Sequence, residues 1–364
     1  HLVRNTQGET GFEVLVGGGL GRAPMIGQVI RDFLPVSDLL TYCEAILRVY
    51  NRHGRRDNIH KARIKFLVKA LGIAAFKEQV EAEWLLSRDF GSQLTPEQVA
   101  HARSFFQPHA YETLPDIDPL ENATPEFKAW YRYNTKPHKI PGYRVVFVSL
   151  KPIGVAPGDM TSDQMDAVAN LADEVSFGEI RATHNQNLVL AEVKQTELAK
   201  TWQELKRLGL ATPNIGSLTD MIVCPGLDFC SLANAGTISV ANQLQRHFDD
   251  YDYLYDIGEI ELKMSGCMNA CGHHHVGHIG ILGVDKHGEE WYQITIGGSA
   301  RESSSLGHVI GPSVPQAQVA EMVQRILDVY RELRHEDERF IDTVRRVSAT
   351  PFKERVYAKD LAAA

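Results

Sequence analysis

Apolar positions in this chain change their period several times, and each change marks a predicted element. Across residues 143–150 they alternate as in a strand. Thr161 and Gln164 then form a capping box ahead of Val168, Leu171 and Val175, which recur at helical spacing. Residues 179–193 return as a strand, and a second helix carries Leu198, Trp202, Leu205 and Leu208 on one face. This strand–helix–strand–helix unit has the length of a small α+β domain. The stretch before it, residues 108–141, is rich in proline and acid and reads as a linker. Further on, residues 231–248 read as a helix, and Asp249, Asp250, Asp252 and Asp256 as a solvated turn. Ile260, Leu262 and Met264 alternate with polar residues, predicting a half-buried strand that delivers the chain to Gly266 and Cys267. Val319, Met322, Val323, Ile326 and Tyr330 predict a closing amphipathic helix.

The chain also repeats itself. Phe12-Glu13-Val14-Leu15-Val16-Gly17-Gly18 matches Tyr292-Gln293-Ile294-Thr295-Ile296-Gly297-Gly298 at an offset of 280, both reading as a strand entering a glycine turn. Ile46-Leu47-Arg48-Val49-Tyr50 matches Ile326-Leu327-Asp328-Val329-Tyr330 at the same offset. Phe76-Lys77-Glu78-Gln79-Val80 matches Phe352-Lys353-Glu354-Arg355-Val356 after a four-residue slip. Three ordered matches predict an internal duplication. Sixteen residues precede Gly17, against more than seventy in the second copy before Gly297, so the front of the first copy is expected to be missing. The chain opens on His1, which fits either processing or a start inside a longer protein.

Composition narrows the class. A length of 364 residues calls for two or three cores, and 43% hydrophobic with 23% charged residues is ordinary for a soluble globular chain. No apolar run approaches eighteen residues and no secretory leader is visible, so the expectation is a cytoplasmic protein without membrane contact. A net charge of -8 argues against nucleic acid as a partner. One basic run, with Arg52, Arg55, Arg56, Lys61, Arg63, Lys65 and Lys69 against Asp57, reads either as an anion-binding face or as a solvated helix face. Gly17, Gly18, Gly19 and Gly21 do not complete a nucleotide-binding G-x-G-x-x-G, because Arg22 takes its last place.

Four of the five cysteines carry the chemistry. Cys224 and Cys230 form a C-x5-C pair, Cys267 and Cys271 a C-x3-C pair. Structural zinc more often uses C-x2-C knuckles in small loop-rich modules, whereas wider loops suit four thiolates around a bulkier inorganic core such as an iron–sulfur cubane. Gly226, Gly266 and Gly272 would let backbone approach that core. A zinc-stabilised binding module without redox activity is the alternative. Cys43, beside Leu39 and Ile46, reads as core.

In their setting, TDMIVCPGLDFC and ELKMSGCMNACG followed by HIGILG, these pairs resemble the sirohaem and [4Fe-4S] sulfite/nitrite reductase family. VGGGLG near the start, THNQNLVL at residues 183–190 and ITIGGSA from Ile294 extend the resemblance along nearly the whole chain. It implies an α+β fold, internally duplicated, with mixed sheets flanked by helices and a small ferredoxin-like domain between the copies. The expected division is 1–80 for the first copy, 81–140 for a helical segment and linker, 141–212 for the small domain, 213–357 for the second copy and 358–364 for a tail. The resemblance further implies that Cys224, Cys230, Cys267 and Cys271 hold a [4Fe-4S] cluster and that Cys271 bridges to a sirohaem, with Asn269 and Gly298 also against that cofactor. The implied reaction is the six-electron reduction of sulfite, with nitrite as the alternative substrate and a flavoprotein reductase subunit or a ferredoxin as donor. The basic residues that bind the small anion are expected in the missing front, so no catalytic Arg or Lys is assigned and the chain alone is expected to be inactive. Met268 and the run His273, His274, His275 depart from the family's usual residues. These histidines and His278 read as metal or proton-relay candidates, or as core and surface residues on a strand. Asn185, Gln186 and Asn187 could reach the cofactor or satisfy backbone at a strand end.

Overall fold

The computed structural model describes residues 1–91, 93–115, 117–301 and 303–357; the expected tail, 358–364, lies outside the described residues. Two units, His1–His109 and Ala110–Ala364, divide the chain.

In the first unit β1 (Leu2–Arg4), β2 (Thr10–Val16) and β3 (Gln28–Pro35) form an antiparallel sheet in that order. Its buried Val16, Ile30 and Leu34 share a core with Tyr42, Ala45, Ile46 and Val49 of α1 (Leu39–His53), Val68 of α2 (Ile64–Leu71), and Phe76, Val80 and Trp84 of α3 (Ile73–Ser87). Positions 42, 45, 46 and 49 follow the helical period, and each large apolar side chain so buried contributes about 1.5–3 kcal/mol. Cys43, expected in the core, is exposed, because it lies one position off that stripe. Helix α3 runs through residue 80 to Ser87, and α4 (Pro96–Ser104) follows behind a Thr95/Gln98 capping box. The basic run is not one uniform face. Arg52 pairs with Glu83 at 2.8 Å and Arg55 with Asp57, while Lys65 is buried and donates to the carbonyls of Leu20 (2.9 Å) and Ala23 (2.6 Å).

The second unit begins with α5 (Pro125–Asn134) and β4 (Thr135–Pro137), inside the stretch expected to be linker. Phe127 and Trp130 enter the core, and Pro125 stands at the helix start, where a missing N–H costs nothing; prolines there mark a cap rather than a tether. Next come β5 (Tyr143–Val148), α6 (Ser162–Val175) with both bonds of the Thr161/Gln164 capping box, β6 (Arg181–Ala182), β7 (Leu188–Lys194) and α7 (Leu198–Arg207). The sheet order is β4-β5-β7-β6. The single strand expected over 179–193 is instead the β6–β7 hairpin, turned at residues 183–187 with Gln186 in the left-handed region at φ 58°.

After β8 (Ile222–Val223), helix α8 (Ile238–His247) starts seven residues later than expected. The backbone N–H groups of Asn234 and Ala235 both donate to Gly266 O and hold the preceding segment as a loop. The acidic stretch contains α9 (Tyr251–Ile257), capped by Asp250. Then follow β9 (Leu262–Ser265), β10 (Ile279–Lys286), β11 (Glu289–Ile296), β12 (His308–Val309), β13 (Val314–Pro315), α10 (Val319–Leu333), α11 (Phe340–Val347) and α12 (Thr350–Val356). The sheet runs β12-β11-β10-β9-β8, with β13 also on β11, and β8, β9 and β10 are mutually parallel. Strand β9 is buried on both faces rather than half-buried, since it sits inside the sheet with parallel neighbours on either side; Lys263 is accommodated by Glu261 at 2.8 Å. Helix α10 does not close the fold, because Phe340, Val344, Phe352 and Val356 of the next two helices complete its core.

The duplication extends into three dimensions. Ile30 and Leu34 of the first copy correspond at the 280 offset to Ile310 and Val314, all buried. The bridge between Gly19 and Met25 reappears between Ser299 and Ser305 at that offset. Gly17 faces Val68 and Gly297 faces Val344, so the four-residue slip has already occurred by α11 while the turn-to-helix contact is retained.

Candidate metal centre

Parallel pairing is what assembles the cysteines. Val223 of β8 is in register with Met264 of β9, so the two strands end side by side, and Cys224 and Gly266–Cys267 leave the sheet at the same end. The Cys224 N–H donates to Met264 O (3.1 Å), and the Gly266 N–H donates to Cys224 Sγ (3.1 Å), an arrangement that places a donor on a thiolate. The Cys230 N–H closes a turn onto Gly226 O (2.9 Å), and Gly226 at φ 60° permits the reversal between the first two cysteines. Ala270 N–H to Cys267 O (3.2 Å) closes the second loop. The glycines beside the cysteines are closely packed: a methyl on Gly226, within the first loop, would lie 2.6 Å from Ala235 O, and one on Gly272, directly after Cys271, 1.8 Å from Met264 O.

Partial burial pushes the Cys271 thiol up, and the charges of Cys224, Cys267 and Cys230 add to the rise. Yet no three of them lie within 4.8 Å of one another among the described residues. Thiolates around one zinc ion, with Zn–S bonds of about 2.3 Å, stand roughly 3.8 Å apart. Cys267 is buried, Cys224 and Cys230 half-buried, and Cys271 exposed. Asn269 is exposed beside Cys271, whereas Gly298 is packed on the backbone of residues 275–277.

The histidines do not lie on a strand as expected: His274–Val276 form a short helical turn. His274 is 1% exposed, neither ring nitrogen has a hydrogen-bond partner among the described residues, and burial followed by the charge of His275 pushes it down to about 3. His278 accepts from the Glu261 N–H through Nδ1 (3.1 Å), and burial pushes it down to about 4. Both are neutral at physiological pH.

Residues of the 183–187 turn reach backbone. Val223 N–H donates to Gln186 Oε1 (2.8 Å), and Gln186 Nε2 donates to Val223 O (2.9 Å). Asn187 Oδ1 accepts from the Leu150 N–H (3.2 Å), and its amide donates to Asp220 (2.9 Å). Asp220 pairs with the buried Lys151 at 2.5 Å, whose ammonium also donates to Asn185 O. Burial pushes Lys151 down while the Asp220 charge opposes it. Sequence reasoning missed this ion pair, since its partners lie 69 positions apart with no motif around either.

The fold is a duplicated α+β chain in which two cysteine pairs follow the ends of adjacent parallel strands. The chain belongs to the family described as the nitrite and sulphite reductase 4Fe-4S domain, which matches residues 1–86 and 216–363; the nitrite/sulfite reductase ferredoxin-like half domain matches residues 143–208 between them. The cofactors of this family are a [4Fe-4S] cluster and a sirohaem, which sets the zinc module aside. Among similar proteins, sulfite reductase [ferredoxin] 2 of Mycolicibacterium paratuberculosis is 29% identical over 343 residues, covering 91% of this chain and 55% of its own. The chloroplastic ferredoxin–nitrite reductase of Arabidopsis thaliana is 26% identical over 339 residues, covering 90% and 52%. The solved structure of the Mycobacterium tuberculosis NirA protein superposes with a TM-score of 0.71 at 26% identity, over 96% of this chain and 60% of that one. The chain thus spans about half the length of these relatives. No helix among the described residues is long and apolar enough to cross a membrane.

Proposed function

We propose that this chain carries the redox centre of a reductase that delivers six electrons to sulfite. The observation carrying the proposal is the placement of the two pairs: Cys224 and Cys267 follow the ends of adjacent parallel strands, with Cys230 and Cys271 in the loops that continue from them, and the Gly266 N–H donates to Cys224 Sγ. In this reading all four bind the cluster, and Cys271, the exposed one, also reaches the sirohaem, with Asn269 beside it and Gly298 supplying close backbone packing. When bound, the cluster and sirohaem would supply the one-electron chemistry that the reduction of a small oxyanion needs. The protein's share is to hold the thiolates, donate the Gly266 N–H to one of them and exclude water from Cys267. Sulfite is favoured by the names of the first similar proteins, which also support ferredoxin as donor; a flavoprotein subunit is the second candidate. Nitrite is the second substrate, supported by the similarity to the plant enzymes.

Anaerobic reconstitution with iron and sulfide tests the centre. The expected result is about four irons and four acid-labile sulfides per chain with a brown visible spectrum, reduced in each Cys→Ser variant. Stoichiometric zinc without colour would overturn it. Turnover of sulfite against nitrite in the full-length protein, with ferredoxin or a flavoprotein as donor, decides substrate and partner.

A further inference from the structure

Strand β8 is only two residues long and lies at the edge of its sheet, so its outer backbone groups have no strand to pair with. An edge this short has little of its own to fix its register, and unpaired backbone groups shielded from water are costly. The side chain of Gln186 supplies what a neighbouring strand would: an acceptor for Val223 N–H at 2.8 Å and a donor for Val223 O at 2.9 Å. The next residue is Cys224, which on the inner side is tied to Met264 O. Gln186 is itself held. Its backbone turns at φ 58°, Gly158 lies against its Cβ, and the neighbouring Asn187 and Asn185 are anchored on the buried Lys151–Asp220 pair. The small domain therefore grips the segment leading into the first cysteine at two points, Val223 on the strand and Asp220 just before it.

We propose that Gln186 is a positioning residue for the cysteine quartet: its carboxamide, acting as a surrogate strand, fixes Val223 so that Cys224 is presented to the metal body. This inference rests on the cluster reading above and adds a residue that would act through Val223 rather than as a metal ligand. Its chemistry is specific, since the clamp needs one donor and one acceptor on the same planar group. A protonated carboxylic acid offers both, while a carboxylate offers acceptors only and sets negative charge against Val223 O. Gln186→Glu therefore separates positioning from mere packing.

The test uses the full chain, reconstituted anaerobically and challenged with an iron chelator at about pH 5.5 and about pH 8, reading the rate of bleaching relative to wild type. Gln186→Ala is expected to lose iron roughly tenfold faster at both pH values, the effect of losing hydrogen bonds of this type. Gln186→Glu keeps the size of the side chain but is a carboxylate at both pH values, since a glutamic acid titrates near about 4.3, so it is expected to lose iron at least as fast as Gln186→Ala at both, because it cannot donate to Val223 O. Amide exchange at Val223 in the metal-free chain should follow the same order. Bleaching of all three proteins within twofold of one another at both pH values, with wild type holding its iron, overturns the role of Gln186 alone. A wild-type chain that takes up no iron overturns the cluster reading and this inference with it.

Discussion

Replacing Gly272 by alanine is a demanding test of how the two cysteine loops are packed. The new methyl would stand 1.8 Å from Met264 O and 2.7 Å from its carbonyl carbon, whereas real Cβ contacts essentially never fall below 3.0 Å. Backbone, not a flexible side-chain tip, must therefore move by more than about 1 Å. Met264 O is the acceptor of the Cys224 N–H, so the displacement opens the bond that ties the first cysteine to the strand of the second pair. Overpacking of this kind costs about 1–3 kcal/mol, and a buried group left without its hydrogen bond about 1–3 kcal/mol more. The expected loss in urea unfolding of the metal-free chain is roughly 2–6 kcal/mol, together with markedly lower iron content after reconstitution. Gly27→Ala is the control: its nearest neighbour would be Leu15 Cβ at 3.5 Å, ordinary contact, and its effect should stay below about 1 kcal/mol. A Gly272→Ala protein as stable as that control and with full iron would refute the packing described here.

Lys151→Met strands the Asp220 carboxylate in a buried site and is expected to cost roughly 3–5 kcal/mol, whereas the double change with Asp220→Asn costs less; equal losses in denaturant titration would contradict a coupled pair. His278 sits at about 4 in the folded chain against about 6.5 unfolded, so its contribution is complete above pH 6.5 and is lost as the pH falls towards 4, roughly 3 kcal/mol in all. His278→Gln should flatten the fall in unfolding free energy across that window, and an unchanged slope would show the acid sensitivity lies elsewhere. Thr161→Ala removes the cap that accepts the Gln164 N–H and should cost about 1 kcal/mol, read as a lower melting temperature with the fold retained by circular dichroism.

What the sequence discloses and what it hides follow from range. Thr161/Gln164 and the 319–330 stripe are local signals, and the structure has both the capping box and the helix. The repeat was legible because Gly17 and Gly297 sit in equivalent turns against equivalent valines. The spacing of the cysteine pairs suggested a shared ligand set, and the structure adds that Cys224 and Cys267 follow the ends of neighbouring parallel strands. Errors arose where a local pattern meets a non-local partner. Polar Lys263 and Ser265 made β9 look half-exposed, but Glu261 and the Gly272 N–H satisfy them inside the sheet. The helix expected from residue 231 begins only at Ile238, since two N–H groups of the segment before it are taken by Gly266 O, thirty-odd positions away. Gln186 could be read as cofactor-facing or backbone-satisfying, and only the location of Val223 distinguishes them.

The dependence of the quartet on two strands lying side by side has a consequence during synthesis. Cys224 and Cys230 leave the ribosome first, and at about 5–20 residues per second the chain needs roughly 2–9 s more before Cys271 emerges. Through that interval half of the thiols exist without the strand that shelters them. Metal delivered early would meet a two-armed chelator, and oxidants a ready dithiol, so loading has to be timed to the arrival of β9 rather than to the appearance of the first cysteine.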